Sequence, residues 1–189
     1  LKRKIYKKYL YMPLLVIVLI MGLGYGYLKY RYEKQEMPHI VFMQNNRFGR
    51  EYEYGSFIDN QGNVYEFKAP KEDRMDEKEK YRYLEENYLN TSAESKVVRK
   101  VELDKLKKCY SLVKKASNFR IKLTENHPYE DVYMGDHEWF AFRYNLFGQL
   151  QVVTLYGTGD WEVVNKSRYA KKAAKLAQEM LPEIPRPED

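Results

Sequence analysis

The chain has 189 residues, 44% of them hydrophobic and 32% charged, with 19 tyrosines and a formal net charge of +6. That length carries one domain with a real core plus a terminal appendage. Lys2, Arg3, Lys4, Lys7 and Lys8 all precede the first acid, Glu33, and the rest holds 28 basic against 27 acidic side chains. No basic stripe is left to follow a nucleic-acid backbone, so nucleic acid is excluded as the expected partner.

Residues 1–8 form a basic tail, and "YLYMPLLVIVLIMGLGYGYL" (9–28) follows without a charged side chain. Twenty residues rise about 30 Å as a helix, the thickness of a bilayer's hydrocarbon core. Pro13 is expected in the first turns, where a missing amide costs little. Tyr6, Tyr9 and Tyr11 lie at one end and Tyr25, Tyr27 and Tyr30 at the other, where half-polar rings suit both headgroup boundaries. A cleaved signal would show a shorter apolar region and small residues at its exit. Here bulky Tyr and Leu crowd the exit, and no Cys follows for a lipoprotein cut. The run is therefore read as an uncleaved anchor in the lipid bilayer. Five basic residues before the run exceed the three that follow closely, Lys29, Arg31 and Lys34. This places the N-terminus in the cytoplasm and the remainder outside the cell membrane.

A polar tether is expected over 29–38, ending at Met37-Pro38, and one extracytoplasmic domain over 39–181. Within it, two runs rich in Tyr, Phe, Val and Ile flank Asp59-Asn60-Gln61-Gly62-Asn63, a hairpin signal because Asn and Gly accept the positive φ of tight turns. The same letters fail as a calcium loop: Gly62 comes two places early, and the twelfth residue is Pro70. Residues 76–89 read as a helix with Tyr81, Leu84 and Tyr88 on one face. Residues 102–119 read as a second, with Leu103, Leu106, Tyr110 and Val113 recurring at three and four. Between them, "SKVVRKV" fits either a strand or the start of that helix. Cys109, the single cysteine, falls inside the amphipathic pattern and is expected in the core; one thiol forms no internal disulfide.

The last third reads as a meander, with strands at 137–144, 149–157 and 160–165. Ser167 is expected to cap a final helix whose buried face carries Tyr169, Ala173, Leu176, Ala177 and Met180. A Pro-rich charged tail occupies 182–189. The fold class is α+β: an N-terminal transmembrane helix, then an antiparallel sheet with about three helices packed on one face.

For chemistry, "ENHPYEDVYMGDHEW" (125–139) is the richest stretch. His127, Asp136, His137 and Glu138 are the metal candidates by residue type. Their spacing is not that of a zinc peptidase, and in a strand His137 and Glu138 face opposite ways. No nucleophile elbow and no phosphate loop occur, and "YGTGDW" is read as a turn. No catalytic residue and no cofactor are assigned. Exposed aromatics are the other lead, and Tyr129, Trp139 and Trp161 are the candidates for a binding surface.

"DNQGNVYEF" and "YGTGDWEVVNKSRYAKKAAKLAQEM", set behind a basic start and one span, resemble the layout of small single-span membrane-anchored proteins of Gram-positive bacteria. The resemblance covers most of the chain and implies no catalytic residues. The expected function is a non-catalytic domain that binds a cell-envelope protein, an immunity-type role being one version. The alternatives are an envelope hydrolase or a small-ligand or ion sensor using residues 127–138.

Overall fold

The computed structural model describes residues 2–46, 52–70, 75–90, 97–125, 137–159 and 161–182. It divides into two compact units, Leu1–Glu36 with Tyr144–Gln149, and Met37–Arg143 with Leu150–Asp189.

The first unit is built on helix α1, Lys2–Lys34. Its segment Met12–Lys34, 23 residues holding an 18-residue window of mean hydropathy 1.7, is long and apolar enough to cross a membrane. Ten aliphatic side chains between Met12 and Leu23 are 49–69% exposed. Covering each fully is worth about 1.5–3 kcal/mol, so even half that exposure in water amounts to on the order of 10 kcal/mol. That is as large as the stability of an ordinary domain. Two expectations change here. The helix runs through both the basic tail and residues 29–34, because no Gly or Pro interrupts Tyr27–Met37. Pro13 consequently lies in the helix interior rather than its first turns. It leaves the Tyr9 carbonyl without its amide, which a membrane helix tolerates better than a soluble one. Tyr25, Tyr27 and Tyr30 are exposed.

The same unit holds a tight turn. Asn145 Oδ1 accepts from the amides of Phe147 (2.8 Å) and Gln149 (3.0 Å), and Gly148 sits at φ 82°.

The second unit is an eight-stranded sheet: β1 (Ile40–Asn46), β2 (Tyr52–Asp59), β3 (Asn63–Pro70), β4 (Val97–Lys100), β5 (Ile121–Glu125), β6 (His137–Tyr144), β7 (Leu150–Thr158) and β8 (Trp161–Asn165), in the order 4-3-2-1-6-7-8-5. Three helices join it: α2 (Glu77–Leu84), prolonged by a π-turn at Glu85–Leu89, α3 (Leu103–Lys115) and α4 (Arg168–Met180). The α+β expectation holds, with β1 and β6 at the centre.

The β2–β3 hairpin turns where its sequence places it. Asp59 Oδ1 accepts from the amides of Gln61 (2.9 Å) and Asn63 (2.8 Å), while Oδ2 accepts from Asn63 Nδ2 (2.8 Å) and the Tyr65 hydroxyl (3.3 Å). Gly62 has φ 84°, and a Cβ there would lie 2.6 Å from the Val101 carbonyl.

The helices pack on both faces of the sheet, not on one. On the first face, α3 and α4 cover Val41, Phe42, Ile58, Val64, Ala141, Val153 and Leu155. The contacting residues are Leu106, Cys109 and Val113 on α3, and Ala170, Ala173, Ala174, Ala177 and Met180 on α4. On the second face, Tyr81 and Leu84 of α2 cover Ile40, Met43, Phe57, Tyr65, Phe67, Phe140 and Phe142. A bulge at Val41 makes this possible within one short strand. The register passes from Ile40↔Asp59 to Phe42↔Ile58, so Val41 and Phe42 both enter the first core while Ile40 and Met43 enter the second.

Two smaller expectations are also corrected, and one open alternative is decided. Leu103, at the start of α3, is 40% exposed rather than buried. Ser167 stands at the N-cap of α4 but makes no side-chain capping bond. The ambiguous "SKVVRKV" resolves at Val97–Lys100 as edge strand β4, with α3 starting at Leu103.

Candidate binding site at the end of the central strands

Strand β1 begins as "IVFM" and ends as "QNN", and all three of these amides are buried, Gln44 at 2%, Asn45 at 0% and Asn46 at 4% exposure. Polar side chains at the end of a central strand are costly unless each finds a partner. Antiparallel pairing sets them against the start of β6: Gln44 beside Trp139, Asn45 beside Glu138, Asn46 beside His137. On the other side Asn46 lies beside Tyr54 of β2.

Asn45 is partly satisfied within the second core, where its Nδ2 donates to Glu53 Oε2 at 3.1 Å and Glu53 forms a buried ion pair with Lys80 of α2. The other end of this strand pair differs. The His137 ring meets Trp139 edge-on at 4.9 Å between centroids, and Trp139 lies 5.5 Å from the ring of Tyr156 on β7. Asn46 Oδ1, His137 Nε2 and Trp139 Nε1 are all buried without a hydrogen-bond partner among the described residues. Burial holds the His137 imidazole below its ordinary pKa, which favours the neutral ring. An indole N–H only donates and an amide oxygen only accepts. A water or ligand group carrying both functions would satisfy the pair.

Of the residues singled out in the sequence, the structure therefore brings together His137 and Trp139. Glu138 sits between them in the strand, opposite Asn45. Trp139 packs against the first core and Phe140 lies in the second, as alternation requires. His127, Tyr129 and Asp136 lie outside the described residues, as does the side chain of Trp161. Among the described residues no group of three His, Cys, Asp or Glu is placed to hold a metal ion. Gln44, Asn46 and Tyr156 were not anticipated. The signal for the first two was there, since "QNN" continues an apolar strand and its burial follows if the strand is central.

The other buried ionisable groups serve the fold. The Cys109 thiol donates to the Ala173 carbonyl at 3.4 Å, and burial pushes its pKa up to about 12. Asp59 organises its turn, and Glu53 and Lys80 join sheet to helix. Arg143 on β6 donates from Nη1 to the carbonyls of Val113 (3.0 Å), Lys114 (2.9 Å) and Ala116 (2.8 Å), closing the C-terminus of α3.

No protein-family model, curated protein or solved structure matches this chain.

Proposed function

We propose that this chain is a bilayer-tethered recognition domain of the cell envelope. In this reading α1 spans the membrane with Lys2–Lys8 in the cytoplasm, and the sheet domain meets an envelope protein outside without catalysing a reaction. The observation that carries the tether is the exposed apolar surface of Met12–Lys34. The orientation rests on the excess of basic residues before the span. Support for recognition comes from the half-buried His137–Trp139–Tyr156 ring cluster, since Trp and Tyr supply rigid contact area to protein partners. The buried Cys109, Asp59, Glu53 and Lys80 are taken up by packing, turn and ion pair. An immunity-type role, with a membrane-active toxin as the partner, is one form of this reading. The layout, which resembles that of anchored proteins of Gram-positive bacteria, agrees with it.

Two measurements test the proposal. In a Ser111→Cys variant, an impermeant thiol reagent should label intact cells at the exposed position 111, while buried Cys109 stays silent. Labelling only after permeabilisation would reverse the orientation. A photo-crosslinking residue at position 139 in the native membrane should give a discrete protein adduct that the same residue at exposed position 107 does not. Absence of an adduct from 139 would defeat the site.

The unpaired polar atoms of Asn46, His137 and Trp139 favour one second reading, a small-ligand sensor at the same strand ends. Its mark is thermal stabilisation of the full chain by a low-molecular-weight ligand or divalent cation that Trp139→Phe abolishes.

A further inference from the structure

An open cleft of about 650 Å³ lies where the end of α3 meets the start of α4. Its walls carry three cations, Lys115, Lys166 and Arg168, two hydroxyls, Ser117 and Ser167, and two rings, Phe119 and Tyr169, with no acidic side chain among them. From this we propose a binding site for a phosphate group at the N-terminus of α4.

Four observations converge on it. The first intrahelical bond of α4 runs from the Lys171 amide to the Ser167 carbonyl. The amides of Arg168 and Tyr169, residues that line the cleft, therefore have no helical acceptor and are available as donors. Second, Ser167 is only 6% exposed, yet its hydroxyl makes neither a capping bond nor any other bond among the described residues. The Ser167 amide is held by Asn165 Oδ1 at 3.0 Å, which fixes the residue at the cleft wall and leaves the hydroxyl to a ligand.

Third, the charge pattern opposes the helix. The first turn of α4 has no acid, and Arg168, Lys171 and Lys172 crowd the end where a macrodipole favours negative charge. An anion in the cleft relieves both the dipole and the repulsion. Lys115 adds the basic last turn of α3. Fourth, Arg168 is already oriented: its Nη2 donates to the Tyr169 hydroxyl at 2.7 Å, and its guanidinium lies 4.7 Å from that ring. The same cations lower the pKa of Tyr169. A tetrahedral dianion matches this donor set of amides, hydroxyls and cations. The wholly exposed Phe119 offers an apolar lip for the organic part of a phosphate ester.

Two sources share this chemistry, a soluble ester and an anionic lipid headgroup, and one experiment separates them. The full-length chain is placed in zwitterionic phosphatidylcholine nanodiscs, and hydrogen exchange of residues 166–172 is followed as inorganic phosphate is raised at constant ionic strength. The same segment is followed in discs containing phosphatidylglycerol, without phosphate. Protection by inorganic phosphate supports the site with a soluble source, and protection only in the anionic discs supports it with a headgroup source. In either case Lys166→Gln with Arg168→Gln should weaken the effect at least about tenfold, the scale of one lost charge-assisted bond. Lys107→Gln with Lys108→Gln, exposed on α3, should leave it unchanged. Exchange in the buried strands reports that each variant is folded. No protection under either condition, or protection that the cleft variant leaves intact, overturns the proposal.

Discussion

The two faces of the sheet solve the same packing problem with different chemistry. Under α3 and α4 the core is mainly aliphatic and small, with four alanines on α4 letting the helix approach and charges kept to the rim, as in Lys105–Glu179 at 2.8 Å. Under α2 it is aromatic. Phe57 stacks on Tyr65 at 4.8 Å, Tyr81 meets Phe142 edge-on at 4.8 Å, and Tyr88 stands edge-on to both Phe57 and Phe67. Gly55 provides the room: a Cβ there would fall 2.3 Å from the Phe67 ring. The cover on this side is one short helix and a π-turn, and it holds the buried Lys80–Glu53 pair. Two long helices exclude water by close contact. A short one reaches the same end with large rings and a buried charge pair, and single substitutions should find that pair more fragile than any one aliphatic contact.

The largest expected effect tests that fragility. Lys80→Met leaves Glu53 buried and without its cation, and breaking such a pair costs about 3–5 kcal/mol. Lys80→Met with Glu53→Leu should recover much of the loss, because two apolar groups need no partner. Denaturant midpoints of the single and double variants decide it, and a double variant no better than the single would show that the ion pair is not the cause. On the opposite face Leu106→Ala opens a cavity under α3 for roughly 2–5 kcal/mol. Its second consequence is chemical: Cys109, one turn along and shielded with a pKa of about 12, should become accessible to thiol reagents in the native state. The Lys80 variant should leave that thiol silent, since it disturbs the other face.

A smaller effect separates the two turns. Asp59 and Asn145 each accept from the amides two and four residues on, each with a positive-φ glycine three residues on. Asp59 is buried at 6% exposure and also binds Asn63 Nδ2 and the Tyr65 hydroxyl. Asp59→Ala should therefore cost about 1–3 kcal/mol, and Asn145→Ala about 0.5–1.5 kcal/mol, where water replaces the lost acceptor. Equal losses would mean that the amide bonds alone matter.

Those turns also show what was legible in the sequence. An Asx residue followed at three by glycine, between alternating apolar runs, is local chemistry and reads directly. The amphipathic stripes of α3 and α4 read for the same reason, and the apolar run of α1 needs only a count. Strand β5 did not read: "IKLTE" has no turn linking it to a neighbour, leaves Leu123 61% exposed at the sheet edge, and pairs with β8 some forty residues later. The Val41 bulge was equally hidden, because it is set by register against β2 and not by Val41 itself. Helices on both faces were half visible, since unbroken runs such as "IVFM" and "FAF" suit a strand buried on two sides. Of the candidate site, His137 and Trp139 were found by residue type. Their neighbours Asn46 and Tyr156 come from strands about ninety residues before and twenty after, a relation that only the strand order supplies.

The smallest effect concerns that site and has a definite sign. Burial lowers the folded-state pKa of His137 below its ordinary 6.5, so the native state resists the proton that the unfolded chain accepts. Above the unfolded value both states carry a neutral ring and the residue adds no pH dependence. As pH falls through about 6.5 the unfolded state binds more protons, and stability declines until the folded-state pKa is passed. Replacing His137 with Gln, which does not titrate, should flatten this part of the profile while leaving stability at neutral pH nearly unchanged. Thermal midpoints at several pH values compare the two chains. If the profiles stay parallel, the ring is not held neutral by burial. A water or ligand that hydrogen-bonds Nε2 would then have to be placed among Asn46, His137 and Trp139.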